Sequence, residues 1–234
     1  MNKKIDEMIK NLINLLFPKI CNGCNSFLLT NENLLCSKCR HDLPFTNHYL
    51  VKNNETFKKF YGRLPVEHAS SVVYFHKKGI VQQLIHNLKY KGAEDVGALL
   101  GTLYCSQLKE INSFEEFDVV IPVPLHKKRL KERGYNQVTL FGTTLAAGLS
   151  IPYNDSILIR KLYSKTQTKK NLLGRTEINP TLFEAKFSEK EHGKHFLLVD
   201  DVITSGATLE ACGKALLEIP GTKISIVTIA FSHS

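Results

Sequence analysis

From Ser70 onward the apolar residues fall into two rhythms. Short runs such as Val72, Val73, Tyr74 and Phe75, or Ile224, Ile226, Val227 and Ile229, are rich in β-branched and aromatic residues and predict strands. Strands are expected at 71–76, 117–123, 196–199 and 224–230. Between them, apolar residues recur three and four apart, as in Ile80, Leu84, Ile85 and Leu88, which is helical spacing. Helices are expected at 80–89, 93–108, 137–149 and from the loop after 199 to about 217. Strands alternating with helices imply an α/β fold with a mainly parallel sheet and helices on both faces.

The first part of the chain follows other rules. Ile5, Met8, Ile9, Leu12, Ile13 and Leu16 form one apolar stripe, with Lys3, Lys4 and Lys10 among the polar positions and Pro18 at its end. Residues 1–18 therefore predict an amphipathic helix, which could lie on a membrane surface or pack on the neighbouring domain. Residues 19–45 hold a compact cysteine cluster. Residues 46–69 are polar and lysine-rich, include Gly62 and Pro65, and are expected to form a connector. Residues 70–234 are expected to form the α/β domain.

Composition narrows the classes. Of 234 residues, 43% are hydrophobic, which is globular rather than disordered composition. No apolar run of about 18 residues exists, which excludes a transmembrane helix of ordinary length. Asp6, Glu7, Asn11 and Asn14 interrupt the apolar stretch a secretory signal needs, so the reducing cytosol is the expected compartment. There, the six cysteines are expected to be metal ligands or buried thiols rather than disulfides. Lysine and arginine number 31 against 22 acids, a formal charge of +9. That excess points to anionic partners: phosphorylated small molecules, nucleic acid or anionic membrane.

Cys21-Asn-Gly-Cys24 and Cys36-Ser-Lys-Cys39 are two Cys-x-x-Cys knuckles with eleven residues between them. A two-residue gap turns both sulfurs of each knuckle toward one point, so Cys21, Cys24, Cys36 and Cys39 suit a tetrahedral Zn²⁺. Four protein ligands would leave no open position, which makes such a site a structural zinc ribbon. Disulfide or redox pairs are the alternatives, disfavoured by the repeated spacing and the expected compartment. Cys105 and Cys212 sit among apolar residues and read as core.

The densest chemistry lies in Leu197-Leu-Val-Asp200-Asp201-Val-Ile-Thr204-Ser205-Gly206-Ala207-Thr208. An apolar strand runs into two acids, a hydroxyl-rich loop with a glycine, and then a helix. Ligands of open α/β sheets sit at the carboxyl ends of strands. The backbone N–H groups at the start of the following helix make an anion site, to which Thr204, Ser205 and Thr208 add hydroxyls. Gly206, lacking Cβ, lets a phosphate approach the backbone, beside Ala207. Asp200 and Asp201 would repel that phosphate unless they serve another part of the ligand, a vicinal diol or a Mg²⁺ held through water. A diol beside a phosphate describes a phosphoribosyl group. Helix capping alone needs one such residue, not five within nine positions.

This stretch resembles the phosphoribosyl-diphosphate (PRPP) signature of the type I phosphoribosyltransferases. The chain further resembles the ComF family in three features. These are the cysteine knuckles, Ile121-Pro-Val-Pro-Leu-His126 followed by Arg129 and Arg133-Gly-Tyr-Asn136-Gln137, and the PRPP loop. Lys89-Tyr-Lys-Gly92 fits the same pattern, and the resemblance spans roughly residues 17–232.

The resemblance implies a pyrophosphate-facing loop after residue 123 and a flexible loop at 160–175 that closes over the site. The first carries Lys127, Lys128, Arg129, Lys131 and Arg133; the second carries Arg160, Lys161, Lys165, Lys169, Lys170 and Arg175. Lys89, Arg129, Arg133, Asn136, Gln137 and Arg160 are thus expected to contact pyrophosphate or DNA. Catalysis would rest on Asp200 and Asp201, and PRPP would bring Mg²⁺. Tyr90, Tyr135 and Tyr163 within basic stretches also suit single-stranded DNA.

Two functions stay open at this stage. One is a Mg²⁺-dependent phosphoribosyl transfer to an unidentified acceptor. The other is a protein that senses PRPP or binds single-stranded DNA within the transformation machinery at the inner membrane, the biological role that the resemblance implies.

Overall fold

The structure, a computed structural model, describes residues 17–109, 116–161 and 182–233. Its strands are β1 (His68–Phe75), β2 (Val119–Pro122), β3 (Leu158–Arg160), β4 (Phe183–Ala185), β5 (His195–Ile203) and β6 (Lys223–Ser232). The helices are α1 (Ser37–His41), α2 (Glu55–Lys58), α3 (Ile80–Tyr90), α4 (Asp95–Lys109), α5 (Lys127–Arg133), α6 (Thr139–Leu149) and α7 (Ala207–Leu216). The expected helix at the N-terminus and most of the 160–175 loop, including Tyr163, Lys165, Lys169, Lys170 and Arg175, lie outside the described residues.

The main sheet has four strands in the order β1-β6-β5-β2, and every neighbouring pair is parallel. A parallel strand pair needs a crossover, and the helices supply it. Leu84 and Leu88 of α3, Leu100 of α4 and Phe141 and Leu145 of α6 pack on Leu197, Val199 and Val227 of one sheet face. Leu209, Cys212 and Leu216 of α7 pack on Phe196, Leu198 and Ile226 of the other, together with Leu158 of β3 and Phe183 of β4. Covered on both faces, β5 and β6 are buried along nearly their whole length rather than at alternate residues, and the polar Ser225 and Thr228 of β6 are buried with the rest. The sheet is the mainly parallel α/β architecture that the sequence pattern implied.

Helices α4 and α6 approach closely. A Cβ added to Gly101 would stand 3.0 Å from Cβ of Thr144 and 3.1 Å from the Phe141 carbonyl oxygen. The absent side chain sets that spacing and seats α6 behind the site.

Several elements depart from the sequence-based expectation. Strand β5 runs on to Ile203, so Asp200 lies opposite Thr228 within the ladder rather than beyond it. Strand β1 starts at His68, three residues early, because Ala69 and Ser70 are buried against β6. Helix α6 begins at Thr139. Strands β3 and β4 form a separate antiparallel pair.

The polar stretch at 46–69 is strongly engaged. Phe60 and Leu64 enter the core, and Asn54 Nδ2 donates to the carbonyls of His48, Val51 and Ala69 at 2.7–3.0 Å. His48 Nδ1, Thr56, Ser71 and Thr228 continue a buried chain of polar contacts at 2.6–3.0 Å. Polarity here is buried and satisfied rather than solvated.

Candidate functional site

Parallel strands bring their carboxyl ends to one edge, and the site lies where β5 reaches that edge. Asp200, Thr204, Ser205, Gly206, Ala207 and Thr208 line one pocket of about 50 Å³. That exceeds the ~10–15 Å³ a water needs. Gly206 has φ of +76° and caps α7. A Cβ there would meet nothing closer than 3.4 Å, so the left-handed backbone, and not lack of room, calls for glycine. Arg63 holds the loop from outside: its Nη1 donates to the carbonyls of Ser205 at 2.8 Å and Lys59 at 3.1 Å, and its Nε donates to Glu210 of α7 at 2.9 Å.

The two acids face different surroundings. Burial, and then the negative charge of Asp201, push the Asp200 carboxyl well above the usual range; its partial relief comes from the Asp201 N–H and from Lys89. The Asp200 Oδ1 accepts that N–H at 2.8 Å. Asp201, by contrast, is fully engaged. Its Oδ2 accepts from Gln137 Nε2 at 2.8 Å and pairs with Lys89 Nζ at 2.9 Å, while its Oδ1 accepts from the Val202 N–H at 2.6 Å.

Two larger clefts meet at Lys89 and Tyr90. One, of about 390 Å³, is lined by Phe75, Ile85, His86, Asp201, Val202 and Thr204 among others. The other, of about 360 Å³, is lined by Gly92, Arg129, Glu132, Arg133 and Tyr135. The Arg133 guanidinium lies 5.3 Å from the centre of the Tyr90 ring, and its Nη1 donates to Gln137 Oε1 at 2.5 Å. The Tyr135 hydroxyl donates to the Leu88 carbonyl, which ties this loop to α3. Gly134, at φ +83°, ends α5 and turns the chain back.

Not every expected contact residue faces these clefts. Asn136 spends its Nδ2 on the Val123 carbonyl at 3.0 Å, and so fixes the loop to the end of β2. Gln137 is buried behind Asp201. Arg160 lies across the Phe183 ring at 5.3 Å on the α7 side of the sheet, where its charge and that of Asp200 act in opposite directions on the Cys212 thiol. Sequence reading missed Arg63 altogether. Its only signal was an arginine preceding a Pro-containing stretch, which says nothing of a loop 142 residues away.

The four cysteine sulfurs at the N-terminal end all lie within 4.8 Å of one another, and none is in a disulfide. Cys24 and Cys36 Sγ are 3.7 Å apart, close to the roughly 3.8 Å edge of a tetrahedron with Zn–S of about 2.3 Å. Cys21 Sγ accepts from the N–H groups of Gly23 and Cys36 at 3.3 Å, and Cys36 Sγ from Cys39 at 3.4 Å. The donor set fits Zn²⁺. Cys21 and Cys39 face the core, and Asn22 of the first knuckle accepts from Asn87 of α3 at 3.2 Å.

Comparison with known proteins fits this geometry. Residues 139–234 match the phosphoribosyl transferase domain. Over 201 residues the chain is 26% identical to competence protein ComFC of Bacillus subtilis, covering 86% of this chain and 78% of that one. Over 220 residues it is 26% identical to competence protein F of Haemophilus influenzae, covering 90% and 96%. DNA utilization protein YhgH of Escherichia coli is 24% identical over 201 residues, covering 85% and 84%. Among solved structures, adenine phosphoribosyltransferase of Saccharomyces cerevisiae aligns over 61% of this chain and 72% of its own, at 17% identity and a TM-score of 0.40. The chain is thus similar over most of its length to competence proteins ComFC and F and to YhgH, and its residues 139–234 match a phosphoribosyl transferase domain.

Proposed function

We propose that this protein binds PRPP with Mg²⁺ at the carboxyl end of β5 and serves DNA uptake in natural transformation. The carrying observation is the single pocket in which Asp200 meets the whole 204–208 loop. The loop N–H groups and the hydroxyls of Thr204, Ser205 and Thr208 hold the 5′-phosphate. Asp200 and Asp201 serve the ribose diol or the cation. Lys89, Arg129 and Arg133 face the pyrophosphate from the cleft beside Tyr90. The names of the relatives, competence proteins and a DNA utilization protein, support the biological role.

The same arrangement suits transfer of the phosphoribosyl group to a nucleophile. Breaking the C1–O bond leaves positive charge on the ribose and negative charge on the departing pyrophosphate. Lys89, Arg129 and Arg133 are placed to stabilise that leaving group, and Mg²⁺, when bound, neutralises part of the same charge. No helix among the described residues is long and apolar enough to cross a membrane; a cytosolic protein acting at the inner face of the membrane is consistent with that.

Single-stranded DNA is the second reading. Tyr90 is 68% exposed, under the Arg133 guanidinium, in a cleft with two further tyrosine and arginine side chains. Base stacking with flanking cations is the chemistry of such grooves.

Calorimetry of Mg²⁺–PRPP with the wild type and with the Asp200→Ala/Asp201→Ala variant tests the first reading: binding is expected in the former and lost in the latter. Single-stranded DNA binding retained by that variant, and falling steeply with salt, would separate the two sites. Pyrophosphate release with a panel of nucleobases would support transfer; silence across the panel would favour a binding role.

A further inference from the structure

Asp201 presents a chemical puzzle. A carboxylate meant for a cation or a diol must have acceptor capacity to offer. Here most of that capacity is taken and the charge is already paired: Oδ1 accepts the Val202 N–H, and Oδ2 meets both Lys89 and Gln137. The partners differ in kind. The Val202 N–H is backbone of the same strand, and Gln137 is 7% exposed and tied in turn to Arg133. Neither can leave without moving the fold. Lys89 can. It is the last basic residue of α3, its four-carbon stem is flexible, and its ammonium pairs directly with Asp201 while its charge also reaches Asp200. It also lines both clefts, the one containing Asp201 and the one containing Arg129 and Arg133.

We propose that Lys89 is a removable cap on Asp201. Without ligand it neutralises the carboxylate; when Mg²⁺–PRPP arrives it gives up Asp201 and turns its ammonium toward the pyrophosphate between Arg129 and Arg133. The exchange preserves charge pairing at both ends. Asp201 trades an ammonium for the ligand's cation or hydroxyls, and Lys89 trades a carboxylate for a phosphate. Free divalent cation then binds poorly, because it must displace Lys89 with nothing to receive it. The cation and PRPP bind together. This inference rests on the PRPP reading above for its second half only; the cap itself is read from Asp201.

The test compares wild type, Lys89→Met and Lys89→Arg, each shown to be folded by circular dichroism and thermal melting. Mn²⁺ alone is titrated by electron paramagnetic resonance, and Mg²⁺–PRPP by calorimetry. Lys89→Met is expected to bind Mn²⁺ alone about tenfold more tightly and Mg²⁺–PRPP about tenfold more weakly, each roughly 1.4 kcal/mol in opposite directions. Lys89→Arg keeps the charge and is expected to hold Mn²⁺ as weakly as the wild type. A structural role for Lys89 moves both affinities of the Met variant downward, and that result overturns the proposal. So does unchanged Mn²⁺ affinity in Lys89→Met, or an equal gain in Lys89→Arg. If no variant, wild type included, binds PRPP while the Mn²⁺ pattern appears as expected, the cap stands and the PRPP reading falls.

Discussion

In the knuckles at 21–39 the ligand atoms face one another; in the loop at 204–208 they line an open pocket. Both are short turns punctuated by glycine. The knuckles turn four sulfurs inward and bury Cys21 and Cys39 in the core, so whatever they hold stabilises the fold. The loop keeps its hydroxyls exposed and sets an ionisable Asp200 in buried surroundings, so it costs the fold something that only a ligand recovers. One region trades function for stability and the other does the reverse. Substitutions should therefore move stability and ligand affinity in different combinations at the two places.

The largest effect is expected at the knuckles. Cys21→Ser should remove zinc from the purified protein, measured by metal analysis, and lower the melting midpoint by on the order of 10 °C, equal to roughly 3–5 kcal/mol for a chain of this size. A Zn-free variant that melts with the wild type would break the contrast at its first term.

Asp200→Asn should act in the opposite sense. The Asp200 pKa in the fold lies above its unfolded value, so the native chain retains a proton that the unfolded chain has shed. That difference destabilises the fold; it begins as pH rises through the unfolded value near 4 and is complete once pH passes the folded value. Asparagine has no such cost. Its melting midpoint at pH 7–8 should rise by about 2–4 °C, the equivalent of roughly 1 kcal/mol, and the gain should vanish below about pH 4. PRPP affinity should fall by about 100-fold, roughly 2.7 kcal/mol.

Gly206→Val forces a β-branched residue to φ +76°, for about 1–3 kcal/mol of strain, and should lose stability and ligand together. Arg63→Ala is the mildest change. The Arg63–Glu210 pair is partly exposed, so stability should shift by less than about 1 kcal/mol. With the Ser205 carbonyl released, PRPP affinity should fall about threefold by calorimetry, and a larger loss of stability than of affinity would show that Arg63 serves the core instead.

What was legible beforehand follows the same division. Cys-x-x-Cys spacing and the acid–hydroxyl–glycine loop are local codes, in which neighbours in sequence are neighbours in space. The core strands were legible because burial on both faces leaves continuous apolar runs, as in Phe196–Val199, though the backbone ladder carries β5 on through two acids. Helix α5 could not be read, since it buries no residue and has no apolar stripe. Strands β3 and β4 span three residues each, too short for a period, and pair across a long intervening segment. Asn54, Thr56 and His48 are surface types by composition; inside, they are satisfied partly by one another and partly by the distant Ala69 and Ser71 of β1. The resemblance sends Gln137 to pyrophosphate or DNA, while its side-chain bonds run to Asp201 and Arg133, residues at different separations on different elements.

The most direct test of the central claim uses ribose 5-phosphate, which carries the diol and the phosphate without the pyrophosphate. Titrated calorimetrically into the wild type and into Asp200→Asn, it should bind the wild type saturably at one site, be displaced by PRPP, and lose most of its affinity in the variant. Equal binding by both proteins, or none by the wild type, would contradict the assignment of this pocket to a phosphoribosyl group.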